Sequence, residues 1–318
     1  MLLISAERLR ELVTMREAID VVRQAFIDVS RGAIDQPTRA SVGSGTALAM
    51  IARHDDGGGT VLKAITIRPD NPGRGLPTIQ ALVIWFDGLT GTPLALLDGT
   101  SLTAMRTGAA SGVATELLAP AAASVLAIVG AGGQASDQVR AVCAVRPIVE
   151  VRVAARSHGS AERLAHKLES EVSAKIVACE TVVEAVSKAD VVCAATNSKK
   201  PLFAAGDLRD RVHVNAIGAY TLTMCELPAD LLGSADVVAV DQVEAALAEA
   251  GDLVGAIRDG AMQVGDLVEI GAILRQERPR FTGRTVFKSV GIAAQDLALA
   301  RLATEKAMAI AGFPTVVL

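Results

Sequence analysis

Aromatic residues are scarce in this chain of 318 residues, where Phe, Trp and Tyr together make up 3%. Few side chains are therefore present on which nucleic-acid bases could stack. A net charge of -4 supplies no general attraction to a phosphate backbone. We expect no nucleic-acid partner.

Long uninterrupted apolar runs are also missing, although 51% of the residues are hydrophobic. No segment reaches the roughly 18 consecutive apolar residues of a membrane helix. The opening residues Met1 to Ser5 run directly into Glu7 and Arg8, which is not the pattern of a signal peptide. We therefore expect no membrane partner and a cytoplasmic protein with a large core.

Cysteine is rare, with 4 residues that lie far apart in apolar surroundings. This usage favours reduced, buried thiols over a disulfide framework. The histidines show no metal-ligand spacing, and no Cys and His pattern resembles a nucleophilic site. We expect no metal, and hydrolytic chemistry has little support.

The length predicts two domains. The first begins with amphipathic helices between Ser5 and Ser30, and then changes to short β-rich runs separated by Gly and Pro. These runs predict an antiparallel sheet, so that the first domain is α+β. The predicted strands are Ala47 to Ala52, Thr60 to Ile67, Ile79 to Asp87 and Pro93 to Asp98.

The second domain is predicted to be α/β. Beyond Ala121, continuous Val, Ile and Ala strands alternate with helical patterns, which indicates a doubly wound, Rossmann-type parallel sheet covered on both faces. A helix rich in Ala, Gly and Ser, from Leu102 to Leu118, precedes it and is interpreted as the connector between domains.

A dinucleotide-binding motif follows the first strand of this sheet, Val125 to Val129. The string is G-x-G-x-x-A between a strand and a helix, the context in which it predicts pyrophosphate binding. Gly130 permits the tight turn, Gly132 lets the phosphates approach the backbone, and Ala135 lets helix and strand pack closely. The predicted cofactor-binding residues here are Gly130, Ala131, Gly132, Gly133, Gln134 and Ala135.

The second strand ends at Arg156 and Ser157, where a site selective for NAD usually carries a carboxylate for the ribose hydroxyls. Arg156 can instead pair with a 2′-phosphate. We therefore expect NADPH to be preferred, with NADH as the alternative. Ala194 and Thr196, at the end of a later strand, are further candidates for cofactor contact.

Three basic residues stand among small or apolar neighbours, namely Arg39, Lys63 and Arg106. A charge on a buried strand is costly unless it is paired. Lys63 therefore either meets a carboxylate of the protein, or binds one on a ligand, or lies on an edge strand and points to solvent.

Six strings along nearly the whole chain resemble the ornithine cyclodeaminase/mu-crystallin family. Their order and spacing make the resemblance specific. The strings are Gln36 to Arg39, Val61 to Ile65, Ala95 to Gly99, Leu102 to Ala110, Val214 to Ala219 and Thr285 to Ala293.

The resemblance implies a discontinuous domain of residues 1–117 and 296–318 that binds substrate and dimerises, with a Rossmann domain at 118–295. It implies a homodimer in which Arg39, Lys63 and Arg106 surround a substrate carboxylate. Lys63 would anchor that carboxylate or deliver a proton. The implied cofactor contacts of this resemblance are Arg106, Thr107, Ile217, Gly218 and Ser289.

One position distinguishes the activities known in this family. Cyclodeaminases carry an Asp where this chain has Tyr220, and a tyrosine is a poor general base at neutral pH. The segment instead resembles reductases of cyclic imines. We expect an NAD(P)H-dependent oxidoreductase that reduces Δ1-pyrroline-2-carboxylate, with Δ1-piperideine-2-carboxylate as a second substrate, to L-proline and L-pipecolate.

Three alternatives stay open: an ornithine cyclodeaminase, an alanine-type amino-acid dehydrogenase, and an NADPH-dependent binding protein of the crystallin type. Asp296 also has two interpretations. It either supports the cofactor pocket or is an ordinary acid at a helix N-terminus, and the sequence favours the second.

Overall fold

A computed structural model describes residues 1–43, 46–276 and 281–317. The chain forms two compact units, one of Met1–Arg106 with Ile292–Leu318 and one of Thr107–Gly291. Both borders lie earlier in the sequence than the predicted borders at 117 and 296. The first falls inside the connector helix, which is continuous over Gly99–Leu118. Because this helix is rich in small residues, without a Gly-Pro break or a change in composition, the sequence does not indicate a domain border inside it.

The chain forms fifteen strands and eleven α-helices among the described residues. The strands are β1 (Leu2–Ile4), β2 (Ile34–Asp35), β3 (Ala40–Val42), β4 (Ala47–His54), β5 (Thr60–Ile67), β6 (Ile79–Phe86), β7 (Pro93–Asp98), β8 (Val125–Val129), β9 (Glu150–Ala154), β10 (Lys175–Ala178), β11 (Val191–Ala194), β12 (His213–Ala216), β13 (Val237–Val240), β14 (Leu267–Glu269) and β15 (Thr285–Lys288). The helices are α1 (Ala6–Leu12), α2 (Met15–Ser30), α3 (Gly99–Leu118), α4 (Ala135–Val145), α5 (His158–Glu169), α6 (Val182–Val186), α7 (Ala229–Ser234), α8 (Val243–Glu249), α9 (Gly251–Arg258), α10 (Ile270–Leu274) and α11 (Ala293–Met308).

The first unit is built on a seven-stranded sheet in the order β1-β7-β6-β5-β4-β2, with β3 paired to β4. Its central strands are antiparallel, as predicted, whereas β1 pairs with β7 in parallel. Alternate residues of each strand are buried, because successive side chains point to opposite faces. Helix α11 contacts the sheet and packs against α2.

The opposite face of this sheet carries an apolar row that is not buried. One row crosses five strands in register, from Ile51 to Leu62, Ile84, Leu96 and Leu3. All five side chains are exposed or half-buried. An exposed apolar row of this length is typical of a surface that another molecule covers.

The second unit contains an eight-stranded sheet in the order β10-β9-β8-β11-β12-β15-β13-β14. All of its strand pairs are parallel. Two apolar cores include residues of its strands, one around Val129, Val192 and Val214, the other around Leu126, Ile128 and Val153. The doubly wound Rossmann-type fold expected from the sequence is confirmed.

The sheet has a switch point beside β8. From β8 the chain moves outward to β9 and β10, and then returns to place β11 and β12 on the other side. Connections therefore leave the carboxyl ends of β8 and β11 in opposite directions and open a crevice between them. Ligands of such sheets bind in this crevice.

Helix α3 approaches α4 closely at Gly108. A Cβ atom placed on Gly108 would lie 2.5 Å from the carbonyl oxygen of Asp137. Only a residue without a side chain allows this distance, so the small residues of α3 serve close helix packing. The contact holds the start of α4, where the glycine-rich loop ends.

Candidate functional site

The glycine-rich loop lies between β8 and α4, as the motif predicts. Gly130 has φ 109°, and a Cβ atom on it would lie 2.5 Å from the Ala195 carbonyl oxygen. The residue before α4, Gln134, makes no side-chain hydrogen bond that caps the helix. A Cβ atom on Gly132 or Gly133 would meet nothing within 4 Å. The loop therefore leaves open space beside the N–H groups of a helix start, which suits a pyrophosphate.

The other predicted cofactor residues of this unit follow neighbouring strands of the same sheet at one edge. Parallel strands bring their carboxyl ends together, so residues far apart in sequence become neighbours. In sheet order, Arg156 and Ser157 follow β9, the glycine-rich loop follows β8, Ala194 ends β11 before Thr196, Ile217 and Gly218 follow β12, and Ser289 follows β15. Thr107 is buried in α3.

Arg156 and Ser157 are exposed, just before α5. Within the described ranges, no hydrogen bond or ion pair involves the Arg156 side chain. The Ser157 hydroxyl lies 2.8 Å from that of Ser160, which also accepts from the Arg163 guanidinium. This end of β9 thus presents cations and hydroxyls and no carboxylate at 156 or 157, which suits an anionic group on the ribose.

Glu226, a buried carboxylate outside the predicted site residues, connects the ends of β11 and β12. It accepts hydrogen bonds from the backbone of Thr196, Gly218 and Ala219. A second buried carboxylate, Asp241, accepts from the Ser289 hydroxyl at 2.8 Å and from two backbone N–H groups after β15. Ser289 thus donates its hydroxyl hydrogen to the protein itself.

The predicted cations form a buried cluster in the first unit. Lys63 is fully buried, and its Nζ lies 2.5 Å from Oδ2 of Asp296, while Oδ1 of Asp296 lies 3.3 Å from Nε of Arg106. The Arg106 guanidinium also donates to the side-chain oxygen of Gln295 at 2.5 Å. Lys63 therefore meets a carboxylate of the protein and does not point to solvent from an edge strand.

Asp296 has a larger role than the one its sequence context favours. It lies in the first turn of α11, as a helix N-terminal acid would. Its carboxylate is nevertheless completely buried and paired with two cations. Little in the sequence indicates this pairing, because Lys63 and Asp296 are separated by 233 positions and no local pattern connects them.

The Lys63 amine lies in an environment that disfavours its positive charge. The pKa of Lys63 is lowered to about 7, mainly by burial. Asp296 opposes this shift, and the positive charges of Arg106 and Arg39 add to it. Arg39 is half-buried and close enough to act on Lys63. Lys63 and Arg106 thus share the Asp296 carboxylate, and Arg39 adds a positive charge near Lys63. Basic side chains grouped in this way suit a small anion, which they can hold through charge-assisted hydrogen bonds.

The described residues contain no group of three or more His, Cys, Asp or Glu side chains placed to hold a metal ion. Within the same residues, no helix combines the length and the apolar composition that a membrane crossing requires. Cys179 and Cys193 are buried free thiols, and Cys143 and Cys225 are free and half-buried.

Comparison with known proteins relates nearly the whole chain to one family. Residues 1–310 match the model of the ornithine cyclodeaminase/mu-crystallin family. A Δ1-pyrroline-2-carboxylate reductase of Bacillus cereus is 38% identical over 319 residues, which cover 97% of each chain.

Two solved structures are similar over almost the full length. The Thermococcus litoralis Δ1-pyrroline-2-carboxylate reductase, in complex with NADH and L-proline, has a TM-score of 0.92 at 34% identity, covering 97% of this chain and 98% of that one. An archaeal alanine dehydrogenase dimer with bound NAD has a TM-score of 0.87 at 33% identity, covering 97% and 96%. With its six characteristic strings, its discontinuous first unit and its match over residues 1–310, this chain belongs to the ornithine cyclodeaminase/mu-crystallin family.

Proposed function

We propose that this protein is an oxidoreductase that uses NAD(P)H to reduce Δ1-pyrroline-2-carboxylate to L-proline, and Δ1-piperideine-2-carboxylate to L-pipecolate. The observation that carries the proposal is the buried cluster of Lys63 and Arg106 around Asp296, with Arg39 close to Lys63. Its basic side chains suit the carboxylate of an anionic substrate. The likeness to the Bacillus and Thermococcus reductases supports the choice of substrate.

The side chains of the protein are assigned two tasks, which are to hold the substrate carboxylate and to supply a proton. Arg39 and Arg106 hold the substrate carboxylate through charge-assisted hydrogen bonds and so orient the adjacent imine carbon. Reduced nicotinamide supplies the hydride when it is bound. An imine accepts hydride far more readily when its nitrogen is protonated, and Lys63, with a pKa of about 7, can hold the required proton at neutral pH.

The cofactor proposed is NADPH, with NADH as a weaker substitute. The preference rests on Arg156 and Ser157, which stand where an NAD-selective site usually has a carboxylate. The pyrophosphate is assigned to the glycine-rich loop, with Gly132 next to it.

A homodimer is part of the proposal. The exposed apolar row from Ile51 to Leu3 supports it, because an isologous interface pairs the same patch of two copies and an apolar patch can pack against its equal. The related alanine dehydrogenase described as a dimer supports this assignment.

Amino-acid dehydrogenation is the second candidate, because the same cluster can hold a keto acid and an alanine dehydrogenase is 33% identical. Cyclodeamination ranks lower, since Tyr220 stands where the family's cyclodeaminases carry a carboxylate.

A substrate panel tests the proposal. The purified protein is given each cyclic imine, pyruvate with ammonia, or ornithine, and each is tested with both nicotinamide cofactors while cofactor absorbance is followed. We expect the highest kcat/KM with a cyclic imine and NADPH. A higher kcat/KM with pyruvate and ammonia would make the protein a dehydrogenase, and turnover of ornithine alone would make it a cyclodeaminase.

A further inference from the structure

The carboxylate of Glu226 is fully buried and accepts four hydrogen bonds in the second unit. Its Oε1 accepts from the backbone N–H of Thr196 at 2.6 Å and from the Thr196 hydroxyl at 2.9 Å. Its Oε2 accepts from the backbone N–H of Gly218 at 2.8 Å and of Ala219 at 3.0 Å. One side chain therefore links the segment after β11 to the segment after β12.

Only an ionised carboxylate satisfies this arrangement. All four partners donate, so a carboxamide would place its own N–H groups against one pair of donors. Burial raises the pKa of Glu226, and the Lys288 ammonium and the hydrogen bonds from Thr196 oppose that rise. Packing of the core alone does not require a buried charge at this position, because an apolar side chain would serve it.

Lys288 holds the same segment from its other side. Its ammonium donates to the carbonyl oxygen of Ala219 at 2.7 Å and lies 3.2 Å from the buried carboxylate of Asp252. The N–H and the carbonyl of Ala219 are thus both bound by buried charged side chains. The backbone that leads into Tyr220 has little freedom as a result.

Gly218 shows how closely the two strand ends approach. A Cβ atom on it would lie 2.1 Å from the carbonyl oxygen of Thr196 and 2.6 Å from Oε1 of Glu226. Only glycine permits this contact. Gly218 and Glu226 therefore both favour the same close approach of the two segments.

We infer that Glu226 is a positioning residue for the nicotinamide cofactor: it fixes the backbone of Thr196, Gly218 and Ala219 at the carboxyl edge of the sheet before the cofactor arrives. The inference rests on the part of the proposed function that places a nicotinamide cofactor at this edge. It does not depend on which substrate is reduced. Ordering these segments in advance lowers the entropy cost of binding.

The test is a Glu226→Gln variant beside an Asp190→Asn control. Asp190 accepts backbone N–H bonds from Ser124 and Val125 at 2.9 and 3.1 Å, but at the opposite, amino-terminal edge of the same sheet. Each variant removes a carboxylate that binds backbone amides. The pair separates a loss of stability from a loss of positioning.

Three measurements are made on each variant: melting temperature, Kd for NADPH and for NADH by calorimetric titration without substrate, and amide hydrogen exchange of the protein without cofactor. For Glu226→Gln we expect Kd to rise about 10- to 100-fold for both cofactors, as the loss of buried charge-assisted bonds implies. We also expect faster exchange at Thr196, Gly218 and Ala219. Asp190→Asn should lower the melting temperature and leave Kd unchanged.

An unchanged Kd in Glu226→Gln, or an equal rise in both variants, would overturn the inference. If Glu226→Gln does not fold, Glu226→Asp takes its place, because it keeps the charge and is one methylene too short to reach both segments. If the native protein does not reduce imines, but the Glu226 variant still binds the cofactor more weakly, the proposed substrate is wrong and the inference is supported. Native protein that binds neither cofactor would disprove both.

Discussion

Lys63 has an environment very different from that of an ordinary, exposed lysine. It is fully buried beside two arginines, and its single carboxylate partner is Asp296 among the contacts that the described residues define. These surroundings lower its pKa to about 7. A lysine in this range can exchange a proton near neutral pH, which an exposed lysine cannot do efficiently.

Replacing Lys63 should separate its two assigned roles. Lys63→Met is expected to lower kcat/KM for Δ1-pyrroline-2-carboxylate by about 10²- to 10⁴-fold, the usual contribution of a positioned acid. Lys63→Arg keeps a cation but has no proton to give at neutral pH, and should retain substrate affinity while losing turnover. Full turnover in Lys63→Met would show that Lys63 has no catalytic role.

The pH profile of the native protein follows from the same pKa. The proton donor must be protonated, so kcat/KM should be constant below pH 7 and should fall as pH rises through about 7. Steady-state rates across pH 5 to 10 would check this. The falling limb should be absent from the residual activity of Lys63→Met, and its persistence there would assign it to another group.

Arg156 governs cofactor preference in our proposal. Arg156→Ala should lower kcat/KM with NADPH by about 10- to 100-fold, because one charge-assisted bond to the 2′-phosphate is lost. The value with NADH should change little. Arg258→Ala is a suitable control, since Arg258 is an exposed arginine at the end of α9 that pairs with the next residue, Asp259. Equal losses with the two cofactors would contradict the assignment of a phosphate site.

At the scale of elements, the close contact of α3 with α4 invites a comparison of two helical glycines. Gly108→Ala forces a Cβ atom to 2.5 Å from the Asp137 carbonyl and should reduce the free energy of unfolding by about 1–3 kcal/mol. Gly255→Ala in α9 meets nothing within 4 Å and should increase it by up to about 1 kcal/mol. Denaturant titration of both variants measures the difference, and a stable Gly108→Ala would show that the helices can separate.

Strands and the glycine-rich loop could be predicted from the sequence because their signals are local. Alternation in the first unit and continuous apolar runs in the second located Thr60–Ile67, Pro93–Asp98 and Val125–Val129 with correct bounds. Short apolar runs carry less information, so the parallel pairing of β1 with β7 was not predicted.

The partners of the charged residues could not be predicted from local signals. Asp296 reaches Lys63 across 233 positions, and Glu226 reaches Thr196 across 30. An isolated acid in an apolar stretch, as in Cys225-Glu226-Leu227, is the one sign that the sequence offers. Such an acid must find donors inside the fold, but its surroundings in the sequence do not say which.

At the scale of the whole molecule, the apolar row of the first sheet determines the expected assembly. We expect light scattering to give twice the chain mass of 32.8 kDa. Ile51→Lys places a charge in that row and should shift the protein toward the monomer. Val183→Lys is matched in exposure, 46% against 44% for Ile51, and lies on α6 of the other unit. A native monomer, or equal behaviour of the two variants, would exclude this face as the interface.

The first unit is assembled from both ends of the chain, and Asp296 comes from its last helix. During synthesis on the ribosome, residues 107–291 are complete before α11 has been translated. The nucleotide-binding sheet can therefore fold while Lys63 still lacks its counter-charge. A nascent chain released before α11 would lack Asp296, so the pocket that we propose for the imino acid would be unfinished.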